Sequence, residues 1–173
     1  MISVGLLSDT HSHMDNGIIE ALEGCQLIIH AGDIGDFKVI RSLEKIAEVR
    51  AVYGNIDDHL IRREYPEDHF FKLEESTVLM THIGGYPGKY APRIRTVLAS
   101  QKPDIFICGH SHILKVMQDK TFGLLHMNPG ACGHHGFHTV RTILRWEHNG
   151  KKIENLRVVE LGRRGQLFTN DPL

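Results

Sequence analysis

Asp9 and His11 stand in SDTH (8–11), Asp33 in Gly-Asp (32–33) and Asn55 in Gly-Asn (54–55). His82 stands apart from other polar motifs, and His110 and His112 belong to GHSH (109–112). These seven residues offer nitrogen and oxygen donors and no thiolate. One tetrahedral zinc takes about four ligands, often including sulfur. A larger, harder set suits two borderline divalent cations such as Mn, Fe, Co, Ni or Zn. Two such ions about 3.5–4 Å apart can clamp the attacking and leaving oxygens of a phosphoryl displacement. The spacings Asp9-x-His11 and His110-x-His112 would set both side chains of each pair on one side of an extended chain, so that one segment grips a metal twice. A lone DxH or HxH is a weak signal, and Gly-Asp after a strand is a common turn. The five elements together carry the inference.

The flanking pattern positions these residues. Apolar runs at 2–8, 25–31 and 48–53 read as strands, and 15–24 and 36–47 as helices, with Asp15 and Asp36 as N-caps. The order β-α-β-α-β is that of a parallel sheet with crossover helices. Segments 69–74 and 76–82 read as a hairpin, 84–92 as a Gly/Pro loop, 92–101 as a helix and 104–108 as a buried strand. Further strands are expected at 114–119, 122–127, 139–147 and 153–160, the last two joined by a turn at Asn149-Gly150. Each candidate ligand motif therefore follows a strand. In parallel sheets the carboxyl ends of the strands share one edge, and ligands bind there.

Length and composition bound the rest. At 173 residues the chain reads as one α/β domain, 1–173. Twenty basic and 21 acidic residues leave a net charge of −1, without the basic excess of a general nucleic-acid binder. No segment approaches the ~20 apolar residues of a membrane span. An odd set of three cysteines without a CxxC fits a reducing cytoplasm. Homo-oligomerisation is left open. The 13 histidines are an excess, and their placement decides what they mean.

The set DTH (9–11), GD (32–33), GN (54–55), His82 and GHSH (109–112) resembles the calcineurin-like metallophosphoesterases. Within them it resembles the small bacterial and archaeal YfcE-type branch, in length and in the NPG at 128–130. The resemblance covers residues 2–130 and implies a four-layer α/β/β/α sandwich of two mixed sheets flanked by helices. It also implies a dinuclear site that hydrolyses small phosphodiesters, or monoesters, through a metal-bridging hydroxide. Carried over residue by residue, one metal takes Asp9, His11 and His112, the other takes Asn55, His82 and His110, and Asp33 bridges them. Manganese is the expected metal, with Fe, Ni, Co or Zn as alternatives. Two rival readings of the same fold are a protein-binding scaffold, resembling a retromer subunit, and a nuclease.

Many relatives carry GNH[DE], whose histidine is thought to protonate the leaving group. Here the stretch reads YGNIDDH (53–59), and Ile56 can do no such thing. Candidate replacements as proton donor are Asp57 and His134, and Asp58 and His59 are also within reach. Asn55, Lys89 and His135 are candidate substrate contacts, although Lys89, Arg93 and Arg95 equally suit a solvated helix start. His30 reads as a hydrogen-bonded core residue, and the loop after NPG, with His134, His135 and His138, is expected near the metals. Specificity is expected to lie in loops 83–92 and 131–138.

Overall fold

A computed structural model describes residues 1–166. The first half follows the alternating pattern, with β1 (Ile2–Leu7), α1 (Asn16–Leu22), β2 (Leu27–His30), α2 (Phe37–Glu44) and β3 (Glu48–Ala51). Asp15 caps α1 by accepting from the Ile18 amide, and Asp36 caps α2 by accepting from that of Lys38. Each cap satisfies an amide that the first helical turn leaves unpaired. A third helix, α3 (His59–Glu64), follows, capped by Asp58 through Leu60 and Ile61.

The second half adds β4 (Asp68–Leu73), β5 (Ser76–Thr81), β6 (Gly85–Tyr86), β7 (Lys89–Tyr90), α4 (Pro92–Gln101), β8 (Ile105–Ile107), β9 (Leu114–Asp119), β10 (Leu124–Pro129), β11 (Val140–Asn149) and β12 (Lys152–Arg163). Pro92 opens α4, where its missing N–H costs nothing. The expected 84–92 loop is in fact the short β6–β7 hairpin, and the strand expected at 122–127 lies at 124–129 because Phe122 and Gly123 belong to the preceding turn.

Two five-stranded mixed sheets result, ordered β12-β11-β1-β2-β3 and β4-β5-β8-β10-β9. In the first, β1, β2 and β3 run parallel; in the second, β5, β8 and β10 do. Between the sheets pack Val4, Leu6, Ile29, Met80, Ile107, Leu144 and Trp146. Ile18, Leu22, Ile40 and Leu43 of α1 and α2 cover the outer face of the first sheet, and Ile94 and Leu98 of α4 that of the second. The layers are therefore α/β/β/α. Each fully buried Leu or Ile in them contributes about 1.5–3 kcal/mol. No helix among the described residues is long and apolar enough to cross a membrane.

Hydrogen bonds continue past the strand ends and hold the loops beside one another. Asp9 N donates to Gly32 O, His11 N to Asp33 O and Gly109 N to His82 O, each at 3.0 Å. The parallel strands thereby deliver their carboxyl-end loops to one edge already in register.

Candidate metal centre

The seven expected donors gather at that edge in two groups. Asp9, His11 and His112 form one, and Asp33, His82 and His110 the other, with ligand-type atoms in each within 4.8 Å of one another. Asp33 stands between the groups. Its Oδ2 lies 3.5 Å from His11 Nε2, and its Oδ1 lies 3.2 Å from His82 Nε2. Asp9 Oδ1 is 3.0 Å from His112 Nε2 and 3.9 Å from His82 Nε2. Asn55 lines the same cavity.

The local geometry departs from the extended chain expected for DxH and HxH. Asp9 (φ 57°), His11 (46°), Asp33 (55°), His110 (66°) and His112 (57°) all occupy the left-handed region. Each such non-glycine residue costs roughly 1–3 kcal/mol, and such strain persists where the surroundings impose it. The two histidines of GHSH consequently do not share a group: His112 joins Asp9 and His11, and His110 joins Asp33 and His82.

Supporting hydrogen bonds fix the donors. His82 Nδ1 donates to Ala31 O at 2.7 Å, which leaves the Nε2 lone pair free. Nε2 of His82 and of His11 are both buried without an aligned hydrogen-bond partner. Buried polar atoms are rarely left so, and a cation beside Asp33 would satisfy both. The donor chemistry and these orphaned nitrogens fit divalent metals. Burial alone would lower the His82 pKa, but the Asp33 and Asp9 carboxylates hold it above its ordinary value. Burial would raise the Asp33 carboxyl, but His82, the Ile56 amide and His11 hold it below the usual range. His11 and His110 are lowered, chiefly by burial.

His30 is wholly buried, as its position in an apolar strand implies. Its Nδ1 accepts from Gly32 N at 3.2 Å, so its Nε2 carries the proton toward Thr10 Oγ1, 2.9 Å away. Thr10 Oγ1 in turn donates to Ile34 O at 2.9 Å. This relay ties the DTH turn to the GD turn. Asn128 of NPG anchors the remaining loop, donating to Gly109 O at 2.9 Å and to Ser111 Oγ at 3.2 Å. Close approach also constrains Gly32, because a Cβ there would sit 2.6 Å from His82 Nδ1.

The other expected site residues fall in different places. Asp57 does not line the cavity. It is 3% exposed, and its carboxylate accepts from Gly35 N (2.7 Å), Gly54 N (2.7 Å) and Ile34 N (3.2 Å). It braces backbone, so a proton-donor role does not suit it. His134 turns away as well. Its Nδ1 accepts from Gly165 N at 2.8 Å, and its ring meets that of His13, 4.2 Å away. There it joins Asp15, whose carboxyl His13, the Ile18 amide and Arg141 hold down at about 2 against the effect of burial. Lys89 is exposed in β7 and is not among the residues lining the cavity. Arg93 pairs with Asp68 and Glu67.

His135 does reach the cavity, its ring 4.5 Å from that of His11. His138 lines it too, held by a Nε2 bond to Gly133 O at 3.0 Å. The cavity measures about 490 Å³. Its mouth is rimmed by Ile56, Ile113 and Phe137, which are 44%, 61% and 102% exposed. Ile113 and Phe137 escape a reading of the sequence by chemistry because they are apolar. The only signal is position, directly after GHSH and inside the histidine loop.

Residues 2–151 match the calcineurin-like phosphoesterase superfamily domain. A probable metallophosphoesterase of Methanothermobacter thermautotrophicus is 30% identical over 135 residues, which cover 74% of this chain and 76% of that protein. Among solved structures, an archaeal phosphodiesterase superposes with a TM-score of 0.72 at 24% identity, covering 92% of this chain and 99% of the other. Vps29 from Entamoeba histolytica, complexed with zinc, does so with a TM-score of 0.72 at 18% identity, covering 93% and 100%. The two structures share the fold; the sequence match and the archaeal relative go further, and on them the chain belongs to the calcineurin-like phosphoesterase superfamily.

Proposed function

We propose that this protein is a metal-dependent phosphoesterase that hydrolyses small phosphodiesters, and also monoesters, with manganese as its working metal. The observation that carries the reading is the placement of Asp33 between two donor groups, one carboxylate oxygen turned to His11 and the other to His82. Asp9, His11 and His112 would hold one divalent ion, and Asn55, His82 and His110 the other. Two divalent cations bound there would supply activation of water near neutral pH and neutralise charge on the phosphate oxygens.

The chain's own groups supply the rest. The neutral Asn55 amide keeps the donor set less negative than another aspartate would. The Ile56 amide donates to Asp33 Oδ1 at 3.1 Å and fixes the direction of that oxygen. The apolar rim excludes water from one side of the cavity, which strengthens electrostatic contacts within it. With Ile56 unable to move a proton and Asp57 held as a brace, His135 is the imidazole best placed to face a leaving group. The three buried thiols suit a cytoplasmic setting.

The deciding experiment measures bound metal, then hydrolysis of bis(4-nitrophenyl) phosphate with added Mn²⁺, for the wild type and Asp33→Asn. Loss of both metal retention and turnover in the variant is expected. Full activity of Asp33→Asn would overturn the proposal. The exposed rim of Ile56, Ile113 and Phe137 favours one second reading, a protein-binding platform. A metal-free, inert wild type would support it.

A further inference from the structure

A second cavity of about 310 Å³ adjoins the metal cavity and shares Ser111 and Ile113 with it. It opens between the β6–β7 hairpin, through Gly85 and Tyr86, and the strands β9 and β10, through Lys115, His126 and Asn128. Its walls are chemically uneven. Tyr86 is 42% exposed and Ile113 61%, so a ring face and a branched apolar side chain are presented to it. Lys115 Nζ lies 5.3 Å from the centroid of the Tyr86 ring. Asn128 is already consumed, since its amide nitrogen holds Gly109 and Ser111 and its oxygen accepts from Gly130 N.

His126 is the unspent polar group. It is 1% exposed, and its Nε2 has no hydrogen-bond partner among the described residues. Nδ1 lies 3.4 Å from the Tyr90 hydroxyl, which can donate to it and so leave the proton on Nε2. Burial, with Lys115 nearby, keeps the imidazole neutral at pH 7. A buried polar atom without a partner is uncommon in a folded protein, and a ligand is one of the things that explains it. The site therefore offers an aromatic face, an apolar wall and a single hydrogen-bond donor on its floor, beside the place where phosphorus would sit.

We propose that this cavity is a subsite for one ester substituent of the substrate, a planar heteroaromatic group such as a nucleobase. The ring lies against Tyr86 and Ile113, and an acceptor atom on its edge takes the His126 Nε2 proton. The inference rests on the phosphoesterase reading for its kinetic consequence but not for its binding consequence. Stacking on an aromatic side chain tolerates every base, because each has a π-face. The subsite thus selects the class of substituent and leaves the identity of the base open.

Two measurements test it. In the first, metal-free protein is titrated with thymidine, and separately with cyclohexanol, while imidazole and tyrosine resonances are followed by NMR. Shifts at His126 and Tyr86 with thymidine alone are expected. No shift at either residue, or equal shifts with cyclohexanol, would overturn the proposal. In the second, Mn²⁺-loaded enzyme hydrolyses methyl 4-nitrophenyl phosphate and thymidine 5′-(4-nitrophenyl) phosphate, which release the same leaving group. A KM about ten-fold lower for the thymidine ester is expected, with kcat similar. That ratio should fall toward one in Tyr86→Ala and in His126→Leu. Equal KM values in the wild type, or a ratio that survives Tyr86→Ala, would overturn the subsite. Because Tyr86 is exposed, its variant stays readable if His126→Leu does not fold. Failure of the phosphoesterase reading would appear as no hydrolysis of either ester, and the metal-free titration would still decide the subsite.

Discussion

The carboxylate of Asp57 sits 2.7 Å from the backbone nitrogen of Gly54 while its other oxygen sits 2.7 Å from that of Gly35. One buried side chain thus clamps the turn that presents Asn55 to the turn that presents Asp33. Hydrogen bonds to a charged group are worth about 1.5–3 kcal/mol each, and a group supporting a ligand typically costs 10–100-fold in metal affinity when lost. Asp57→Ala is expected to lower stability by about 3 kcal/mol and to weaken metal retention by at least ten-fold. Thermal denaturation and a metal titration check both. A variant that melts with the wild type, retains metal and loses only turnover would restore Asp57 as a proton donor.

Gly54 is constrained from the other side. A Cβ there would collide with Asp33 Oδ1 and with the Asp33 backbone nitrogen. Backbone cannot swing away as a flexible side-chain tip can, and overpacking commonly costs 1–3 kcal/mol. For a chain of this size, each kcal/mol lowers Tm by about 2–4 °C. Gly54→Ala is expected to fall in Tm by several degrees and to lose metal in proportion, read by calorimetry and metal analysis. Gly88→Ala is the control: its φ is also positive (86°), but nothing lies within 4 Å of a Cβ there. It should lose some stability to backbone strain and leave metal retention untouched.

The donor set was legible because ligand chemistry is carried by residue type, and each donor follows a strand that hydrophobic patterning reveals. The conformations that aim the donors were not. Nothing in the types Asp9, His11 or His112 announces a left-handed backbone, which tertiary contacts impose. Helix α3 escaped because its six residues, HLIRRE, are shorter than two turns and carry only Leu60 and Ile61 as apolar residues. Asp57 was misassigned because two of its three partners, Ile34 and Gly35, lie 23 and 22 residues away. His134 and His135 are neighbours of the same type, yet one bonds Gly165 and the other faces His11. That choice depends on where β12 and its following turn fall, which no local pattern specifies.

His126 makes stability pH-dependent. Its pKa is pushed down to about 4, first by burial and then by Lys115. In the unfolded chain the imidazole titrates near 6.5. As pH falls below 6.5 the unfolded state takes up a proton that the folded state refuses. The contribution is complete above pH 6.5 and is lost as pH falls toward 4. By linkage the loss amounts to about 3 kcal/mol. His126→Leu removes this term, while His30 goes on titrating in both proteins. Urea denaturation at pH 7 and pH 4 should show the wild type losing about 3 kcal/mol more than the variant over that interval. Parallel losses would mean that His126 keeps its ordinary basicity.

Ile56 occupies a place where an imidazole would face the leaving group. It lines the metal cavity, it is half-exposed, and its amide is already fixed to Asp33 Oδ1 at 3.1 Å. A side chain exchanged there keeps its backbone anchor and enters the cavity directly. General-acid catalysis typically contributes 10²–10⁴-fold, and the gain is greatest where the departing oxygen is most basic. A nitrophenolate leaves readily without a proton, whereas an alkoxide does not. Ile56→His is therefore expected to raise kcat/KM by ten-fold or more on dialkyl esters, while bis(4-nitrophenyl) phosphate changes by no more than two- or three-fold. The slope of log rate against leaving-group pKa should flatten in the variant, because the added proton offsets the charge that the slope reports. An equal gain across all leaving groups would show that the new histidine acts on binding or metal retention. An unchanged slope with no gain would leave His135 as the acid already in place, and His135→Phe should then steepen the wild-type slope.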